Sequence, residues 1–174
     1  MIRFELFVNL LRFKLLFFLN KNVKIQFRQR ISSSTVIKVA NYSSFISISS
    51  YLHTRRNVTI HADGGSILIG NHVFINENSN IISMEEIVIK DHVSIGPNVM
   101  IYDHDHNILQ GTGYLKEPIV IERRVWIGAN CVILKGVHIG AGSVIAAGTI
   151  LRKNVPPHTL VFNESKIIFK NLLH

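Results

Sequence analysis

Histidine and aspartate alternate over four consecutive positions, Asp103, His104, Asp105 and His106. A neutral imidazole can accept a proton from a hydroxyl group near neutral pH, and a carboxylate or carbonyl at its second ring nitrogen fixes the tautomer. The same alternation of side chains can bind a divalent metal ion. A solvated polar loop without chemistry is a third interpretation. The cluster therefore indicates general-base catalysis, metal binding or a solvated loop.

The residues after this cluster repeat every six positions from Ile121 to Pro156, in hexads that read IERRVW, IGANCV, ILKGVH, IGAGSV, IAAGTI and LRKNVP. An aliphatic residue stands first in each hexad, and a small or β-branched residue stands fifth. First residues would lie about 240° apart on an α-helix and form no stripe. Short strands that turn a corner every hexad fit the period, with coils stacked about 4.8 Å apart. The pattern predicts an all-β solenoid with both positions pointing inward.

The same period appears upstream in two sets, which begin at Ile69 and Ile89. Extra residues around Met84–Glu86 are interpreted as a bulge at a corner. The period fails over residues 103–118, which are polar and contain glycine. Solenoids tolerate insertions at their corners, and such insertions usually carry function. We therefore expect an active-site loop at 103–118, inserted between two coils.

The chain of 174 residues is interpreted as one domain, a β-helix over residues 28–157 followed by a tail at 158–174. Strands are predicted at Val36–Val39 and Phe45–Ile48, without a fixed register. The single cysteine, Cys131, takes a small inward hexad position and excludes an internal disulfide. This cysteine content predicts a cytosolic protein.

The formal net charge of +8 raises the question of a nucleic-acid partner. Lysine and arginine are scattered, and the sequence has neither a helix-turn-helix pattern nor interleaved aromatic and basic residues. We therefore expect no nucleic acid as a partner. A polyanionic small molecule or an anionic membrane surface accounts for the charge equally well.

Residues 1–27 are rich in phenylalanine and leucine but are interrupted by charged side chains. No apolar run approaches the about 20 residues that span a bilayer, and no small-residue cleavage signal follows. Two interpretations remain for this segment. It is either a helix that caps the open end of the solenoid or a basic interfacial helix at the inner face of a membrane.

The run VWIGANCVILKGVHIGAGSVIAAGTILRKNVPP, preceded by IGPNVMIYDHDH, resembles the hexapeptide-repeat acyltransferases. The similar branch contains galactoside, maltose and bacterial polysaccharide O-acetyltransferases, and the resemblance covers roughly residues 65 to 157. It implies a left-handed parallel β-helix and a homotrimer with acetyl-CoA bound as co-substrate between adjacent subunits. It also implies a general-base histidine on the interrupting loop and no metal ion.

The resemblance does not by itself decide between the two loop histidines. In sugar acetyltransferases of this family the catalytic histidine follows an Asn-Val pair by a fixed short interval. An ungapped count from Asn98 and Val99 reaches His106, and a two-residue gap reaches His104. The count favours His106. Asp103 and Asp105 are candidates for contacting the substrate or for fixing the imidazole tautomer.

Further residues match family positions that contact the acceptor. Asn76 aligns without gaps with an asparagine that contacts the acceptor sugar, and Trp126 matches a tryptophan beside the catalytic site. The family's acidic acceptor contact falls on Met84 here, so Glu85 or Glu86 is the candidate substitute.

Three positions match contacts to acetyl-CoA. The amide of Ala129 matches the donor to the thioester carbonyl, and Ala147 matches a backbone contact to the pantetheine arm. Lys153 matches a cation that meets the CoA phosphates, with Arg152 beside it. The segment after Pro157 departs from the family pattern, so contacts beyond that residue stay open.

The resemblance thus predicts acetyl transfer to a hydroxyl of a sugar or of a bacterial surface polysaccharide precursor. The alternative within the family is N-acetylation of a nucleotide-linked amino sugar, although many such enzymes carry a nucleotide-binding domain that is absent from this sequence. A metal-binding protein similar to the γ-class carbonic anhydrases is the other alternative. It would recruit His72 and His92, whose spacing does not fit the expected pattern.

Overall fold

The computed structural model describes residues 21–26 and 28–164, which wind as a parallel β-helix. Each coil between the two ends contributes one strand to each of three six-stranded sheets, which we name A, B and C. Sheet A contains β1 (Val23–Ile25), β3 (Phe45–Ile48), β6 (Ser66–Ile69), β9 (Glu86–Ile89), β14 (Ile119–Ile121) and β17 (His138–Ile139). Sheet B contains β4 (His53–Thr54), β7 (Phe74–Ile75), β10 (Ser94–Ile95), β15 (Trp126–Ile127), β18 (Val144–Ile145) and β20 (Leu160–Val161). Sheet C contains β2 (Val36–Val39), β5 (Thr59–Ala62), β8 (Asn80–Ser83), β11 (Met100–Tyr102), β16 (Val132–Ile133) and β19 (Ile150–Leu151).

Three edges join these sheets, because the chain passes from A to B to C and back to A in every coil. The AB edge includes residues 70–73 and 90–93. The BC edge includes residues 76–79, 96–99, 128–131 and 146–149. The CA edge includes residues 84–85, 103–118, 134–137 and 152–154. Residues on different edges therefore lie on different parts of the surface of the prism.

The core is built from the two hexad positions that the sequence predicts to point inward. The first residues are buried, with exposed fractions of 0% at Ile121, Ile127, Ile133, Ile139 and Ile145 and 5% at Leu151. The fifth residues are buried too, at Val125, Cys131, Val137, Ser143, Thr149 and Val155. Identical positions stack across coils, as Ile95 does on Ile75 and Ile127. The predicted all-β solenoid is confirmed.

The β-helix extends beyond both boundaries expected from the repeat, residues 28 and 157. β1 pairs in parallel with β3, and β20 pairs with β18. These end coils lack clear hexads, so only their pairing reveals them. Residues 1–20, 27 and 165–174 lie outside the described residues, and with them the predicted cap or interfacial helix. Within residues 21–26 and 28–164, no helix has the length and hydrophobicity that crossing a bilayer requires.

Adjacent coils approach closely along the BC edge where glycine follows a sheet B strand. A Cβ atom added to Gly96 would lie 2.8 Å from the amide nitrogen of Ala129. A Cβ atom added to Gly128 would lie 2.6 Å from the amide nitrogen of Ala147. Real Cβ atoms do not come this close to backbone, so these glycines fix the spacing of the two alanine amides.

Candidate active site

The break in the repeat at residues 103–118 is a β-hairpin inserted at the CA edge between β11 and β14. Its strands are β12 (His104–His106) and β13 (Tyr114–Lys116), which pair antiparallel. His104 lies opposite Lys116 and His106 lies opposite Tyr114. The backbone amide of Glu117 donates to the carbonyl of Asp103 at 2.9 Å and closes the base of the hairpin. The insertion therefore presents both histidines on one ordered strand.

Asp103 fastens this hairpin to the coil below it. Its side chain is fully buried, and its Oδ2 accepts from the Ser83 hydroxyl at 2.6 Å and from the Glu85 amide at 2.9 Å. Its Oδ1 accepts from the Met84 amide at 2.7 Å and lies 3.1 Å from Nδ1 of His104. Both carboxylate oxygens are engaged inside the protein. The carboxylate of Asp103 is thus placed to orient His104, and the substrate contact predicted for Asp103 stays a prediction.

His104 is held in one orientation by this contact. The carboxylate of Asp103 accepts from Nδ1–H, so the second ring nitrogen, Nε2, is left as the proton acceptor. The side chain is 18% exposed, and the ring of Tyr114 meets it edge-on with centroids 5.6 Å apart. The ring of Tyr102 lies 6.0 Å from that of His104, measured between centroids, and burial raises the pKa of the Tyr102 phenol. His104 is thus an oriented imidazole with two tyrosine rings as neighbours.

His106 and Asp105 have a different environment further along the strand. The ring of His106 is exposed and lies 4.9 Å from that of Tyr114, measured between centroids. No hydrogen bond to this ring is formed by the residues that the structure describes. The Oδ2 atom of Asp105 lies 3.3 Å from Nζ of Lys135, in the coil above. Asp105 therefore contacts the next coil.

The remaining predicted site residues fall on two edges of the prism. Glu85, Arg152 and Lys153 are exposed on the CA edge, with the hairpin. Asn76, Ala129 and Ala147 lie on the BC edge, and Trp126, 57% exposed, begins β15 just before that edge. Sheet C separates the two edges, and a four-residue strand of this sheet spans about 13 Å. One copy of the chain therefore does not bring the two groups together.

The histidines considered as additional metal ligands lie on the third edge. His72 and His92 stack face to face on the AB edge, with ring centroids 5.0 Å apart, and Tyr51 stacks on His72. The hairpin histidines are on the CA edge. In the described ranges, no three histidine, cysteine, aspartate or glutamate side chains are grouped closely enough to hold a metal ion.

Two groups that organise the hairpin were missed by the sequence reasoning. Ser83 donates to Asp103, and Lys135 pairs with Asp105 and Glu117. The position of Ser83 in the sequence could have indicated this role, because Ser83 ends the coil immediately below the insertion. Lys135 stands at the corresponding corner of the coil immediately above it. Corner residues on either side of an insertion are therefore candidates for holding it.

Comparison with known proteins identifies the family. Residues 118–153 match the family described as bacterial transferase hexapeptide (six repeats). The solved structure of a hexapeptide-repeat-containing acetyltransferase from Vibrio cholerae is 34% identical, covers 80% of this chain and 73% of that chain, and gives a TM-score of 0.52. The chain belongs to the hexapeptide-repeat acetyltransferase family.

Further comparisons concern ligands and acceptors. A Vibrio cholerae acetyltransferase complexed with acetyl coenzyme A matches at 46% identity over 54% of this chain and 54% of that chain, with a TM-score of 0.52. Galactoside O-acetyltransferase of Escherichia coli K12 is 39% identical over 56% of this chain and 50% of its own length. A putative lipopolysaccharide biosynthesis O-acetyltransferase of the same strain is 28% identical over 63% of each. The chain thus spans only about half to two thirds of the curated relatives it matches.

Proposed function

We propose that this protein is an acetyl-CoA-dependent O-acetyltransferase that acts on a hydroxyl of a sugar or of a surface polysaccharide precursor. The observation that carries the proposal is the Asp103–His104 pair on the hairpin that interrupts the hexads. It supplies an oriented imidazole where the family resemblance expects a base. The galactoside and lipopolysaccharide enzymes among the relatives support a carbohydrate acceptor.

The reaction follows from an imidazole beside a thioester. Nε2 of the hairpin histidine accepts the proton of the acceptor hydroxyl as its oxygen attacks the acetyl carbonyl carbon. The carbon–sulfur bond then breaks, and the proton passes to the leaving thiolate to give free CoA. The Ala129 amide is the proposed donor to the carbonyl oxygen as negative charge develops there. Arg152 and Lys153 are the proposed partners of the CoA phosphates.

The choice of base within this proposal is His104. Its tautomer is fixed by a buried carboxylate, whereas the ring of His106 is exposed with only an aromatic neighbour in the described residues. A fixed tautomer is an advantage because the acceptor nitrogen must be unprotonated and aimed at the substrate. The ungapped count favours His106, so the two residues are compared directly by mutation.

The division of the candidate residues between two edges supports a homotrimer. Three copies around a threefold axis can each turn the CA edge toward the BC edge of a neighbour, since such an interface is heterologous and closes into a ring. Each site would then take its base and phosphate cations from one subunit. Asn76, Ala129 and Ala147 would come from the next.

Residues 1–27 bear on where such an enzyme would work. We propose a cytoplasmic enzyme in which this segment caps the open end of the β-helix. The alternative is an interfacial helix that contacts the inner membrane face, near lipid-linked sugar acceptors. The net charge of +8 is compatible with attraction to an anionic surface.

The activity is tested with the full chain, acetyl-CoA and a panel of sugars, nucleotide sugars and polysaccharide fragments. We expect acceptor-dependent release of free CoA thiol, an acetyl ester in the product, and rates that EDTA leaves unchanged. An acetamide formed only on amino sugars would favour the N-acetyltransferase alternative. Loss of activity in EDTA with recovery on adding zinc would favour the metal alternative. No thiol release with any acceptor would contradict the proposal.

The shared site predicts complementation between two inactive variants. His104→Ala removes the base on the CA edge, and Ala147→Trp fills the exposed BC-edge position proposed for the pantetheine arm. Each variant alone should be nearly inactive, but random mixing by co-expression should restore about a quarter of the sites, those with both edges intact. Light scattering should show a trimer. Activity no greater than the sum of the separate variants would contradict a site shared between subunits.

A further inference from the structure

Lys135 links the hairpin at residues 103–118 to the coil above it. It follows β16 at the CA edge, and its side chain is only 20% exposed. Its Nζ lies 3.3 Å from Oδ2 of Asp105 and 3.6 Å from Oε1 of Glu117. Asp105 stands between the two hairpin histidines, and Glu117 closes the hairpin base. One cation therefore reaches both strands of the insertion.

The backbone next to Lys135 is shaped to receive the same hairpin. Gly136 has φ of +73°, and its amide donates to the carbonyl of Glu117 at 3.1 Å. A Cβ atom on Gly136 would displace the carboxylate of Glu117 from its present position. The positive φ and this close approach both favour glycine where the turn and the hairpin base meet.

The hairpin is thus held from both sides. Asp103 binds it to the coil below through Ser83, Met84 and Glu85. On the upper side, Lys135 is the one cation within residues 21–26 and 28–164 that forms an ion pair with the hairpin carboxylates. An insertion fixed only at its base could pivot, whereas contacts above and below restrict the strand that carries the histidines.

We propose that Lys135 is a positioning residue that sets the place of the hairpin histidines through Asp105 and Glu117. The inference rests on the proposed acetyl transfer and adds a residue that determines its rate. Lys135 does not touch the reacting atoms in this proposal. Partly exposed ion pairs add little to stability, so its effect should appear in the geometry of the hairpin and not in whether the chain folds.

The test compares three variants of the full chain. Lys135→Met removes the charge and keeps the aliphatic stem, and Lys135→Arg restores a cation. Lys116→Met is the matched control, because Lys116 lies on the same hairpin without an ion pair to any described residue. We expect Lys135→Met to lower kcat by about 3- to 10-fold, since small misplacement of a catalytic group slows the reaction. The KM for acetyl-CoA should stay within about twofold of wild type, because positioning the base affects the chemical step.

Recovery by arginine is the decisive part of the kinetic result. Lys135→Arg should have a kcat within about twofold of wild type, and so should Lys116→Met. A fall in kcat of the same size in Lys116→Met would show a general effect of hairpin charge and overturn the proposal. Failure of arginine to restore kcat would overturn it as well.

Hydrogen exchange gives a measurement that does not depend on activity. Peptides covering residues 103–118 should exchange faster in Lys135→Met, return to wild-type rates in Lys135→Arg and remain unchanged in Lys116→Met. Unchanged exchange in Lys135→Met would overturn the proposal even if kcat fell. Faster exchange in a protein whose wild type transfers no acetyl group would refute the proposed function and leave the hairpin contact established.

Discussion

His104→Ala should lower kcat by about two to four orders of magnitude, the usual weight of a general base. The variant leaves the acceptor hydroxyl without a group to take its proton as its oxygen attacks the thioester. The KM for acetyl-CoA should stay nearly unchanged, because the proposed CoA contacts lie on Ala129, Ala147, Arg152 and Lys153. Initial rates of thiol release over a range of acetyl-CoA concentrations measure both quantities.

His106→Ala is the matched control, since it removes an imidazole from the same strand. It should lower kcat by about tenfold or less if the exposed ring of His106 only shapes the hairpin. The opposite pattern would show that the ungapped count from Asn98 is right and that His106 is the base. Full activity in both variants would exclude proton transfer by this hairpin and contradict the proposed mechanism.

The sequence predicts the fold because every hexad places an aliphatic residue first and a small or β-branched residue fifth. A residue such as Ile127 must fill the interior of a narrow prism, and Cys131 must fit near a corner. The sequence alone therefore predicts which positions point inward. The end coils are different. Val23–Ile25 and Leu160–Val161 follow no clear hexad, and their place in the β-helix rests on backbone pairing with β3 and β18.

The arrangement of the candidate site follows less directly from the sequence. Asn76 and Ala129 match family positions one by one, but a match does not say which edge of the prism a residue occupies. That depends on counting corners through irregular coils, including the bend at residues 84–85. The separation of Asn76 from His104 by sheet C is therefore visible only in the structure. This separation is the reason for proposing that residues from two subunits form one active site.

The choice between histidines shows the same limit at a single position. Counting from Asn98 assumes that the hairpin has the length of the family's loop, and an insertion is the place where that assumption is weakest. The structure adds a physical criterion. Asp103 is buried with both oxygens engaged, and its one contact with a titratable hairpin side chain in the described residues is to His104.

Asp103→Asn tests whether that carboxylate serves the reaction as well as the fold. The amide has one acceptor oxygen instead of two, so at least one buried donor among Ser83, Met84 and Glu85 loses its partner. Such a loss costs about 1 to 3 kcal/mol. For a domain of this size each kcal/mol lowers Tm by about 2 to 4 °C, which a thermal unfolding scan resolves.

The effect on the reaction should be larger than the effect on stability. The neutral amide no longer stabilises the imidazolium that forms when His104 takes the hydroxyl proton. Its NH2 group can also donate to Nδ1 and select the other tautomer. We expect kcat to fall by about two to four orders of magnitude, as when an orienting carboxylate is removed from a catalytic histidine. Kinetics measured well below the unfolding temperature separate this loss from the lower Tm.

Ser83→Ala provides the control for this variant. It removes one hydrogen bond to Asp103 and leaves the carboxylate beside His104, so it should cost about 1 kcal/mol and reduce kcat by less than about tenfold. A variant Asp103→Asn that loses stability but keeps its kcat would assign Asp103 to the fold alone. In that case the comparison of His104→Ala with His106→Ala would identify the base.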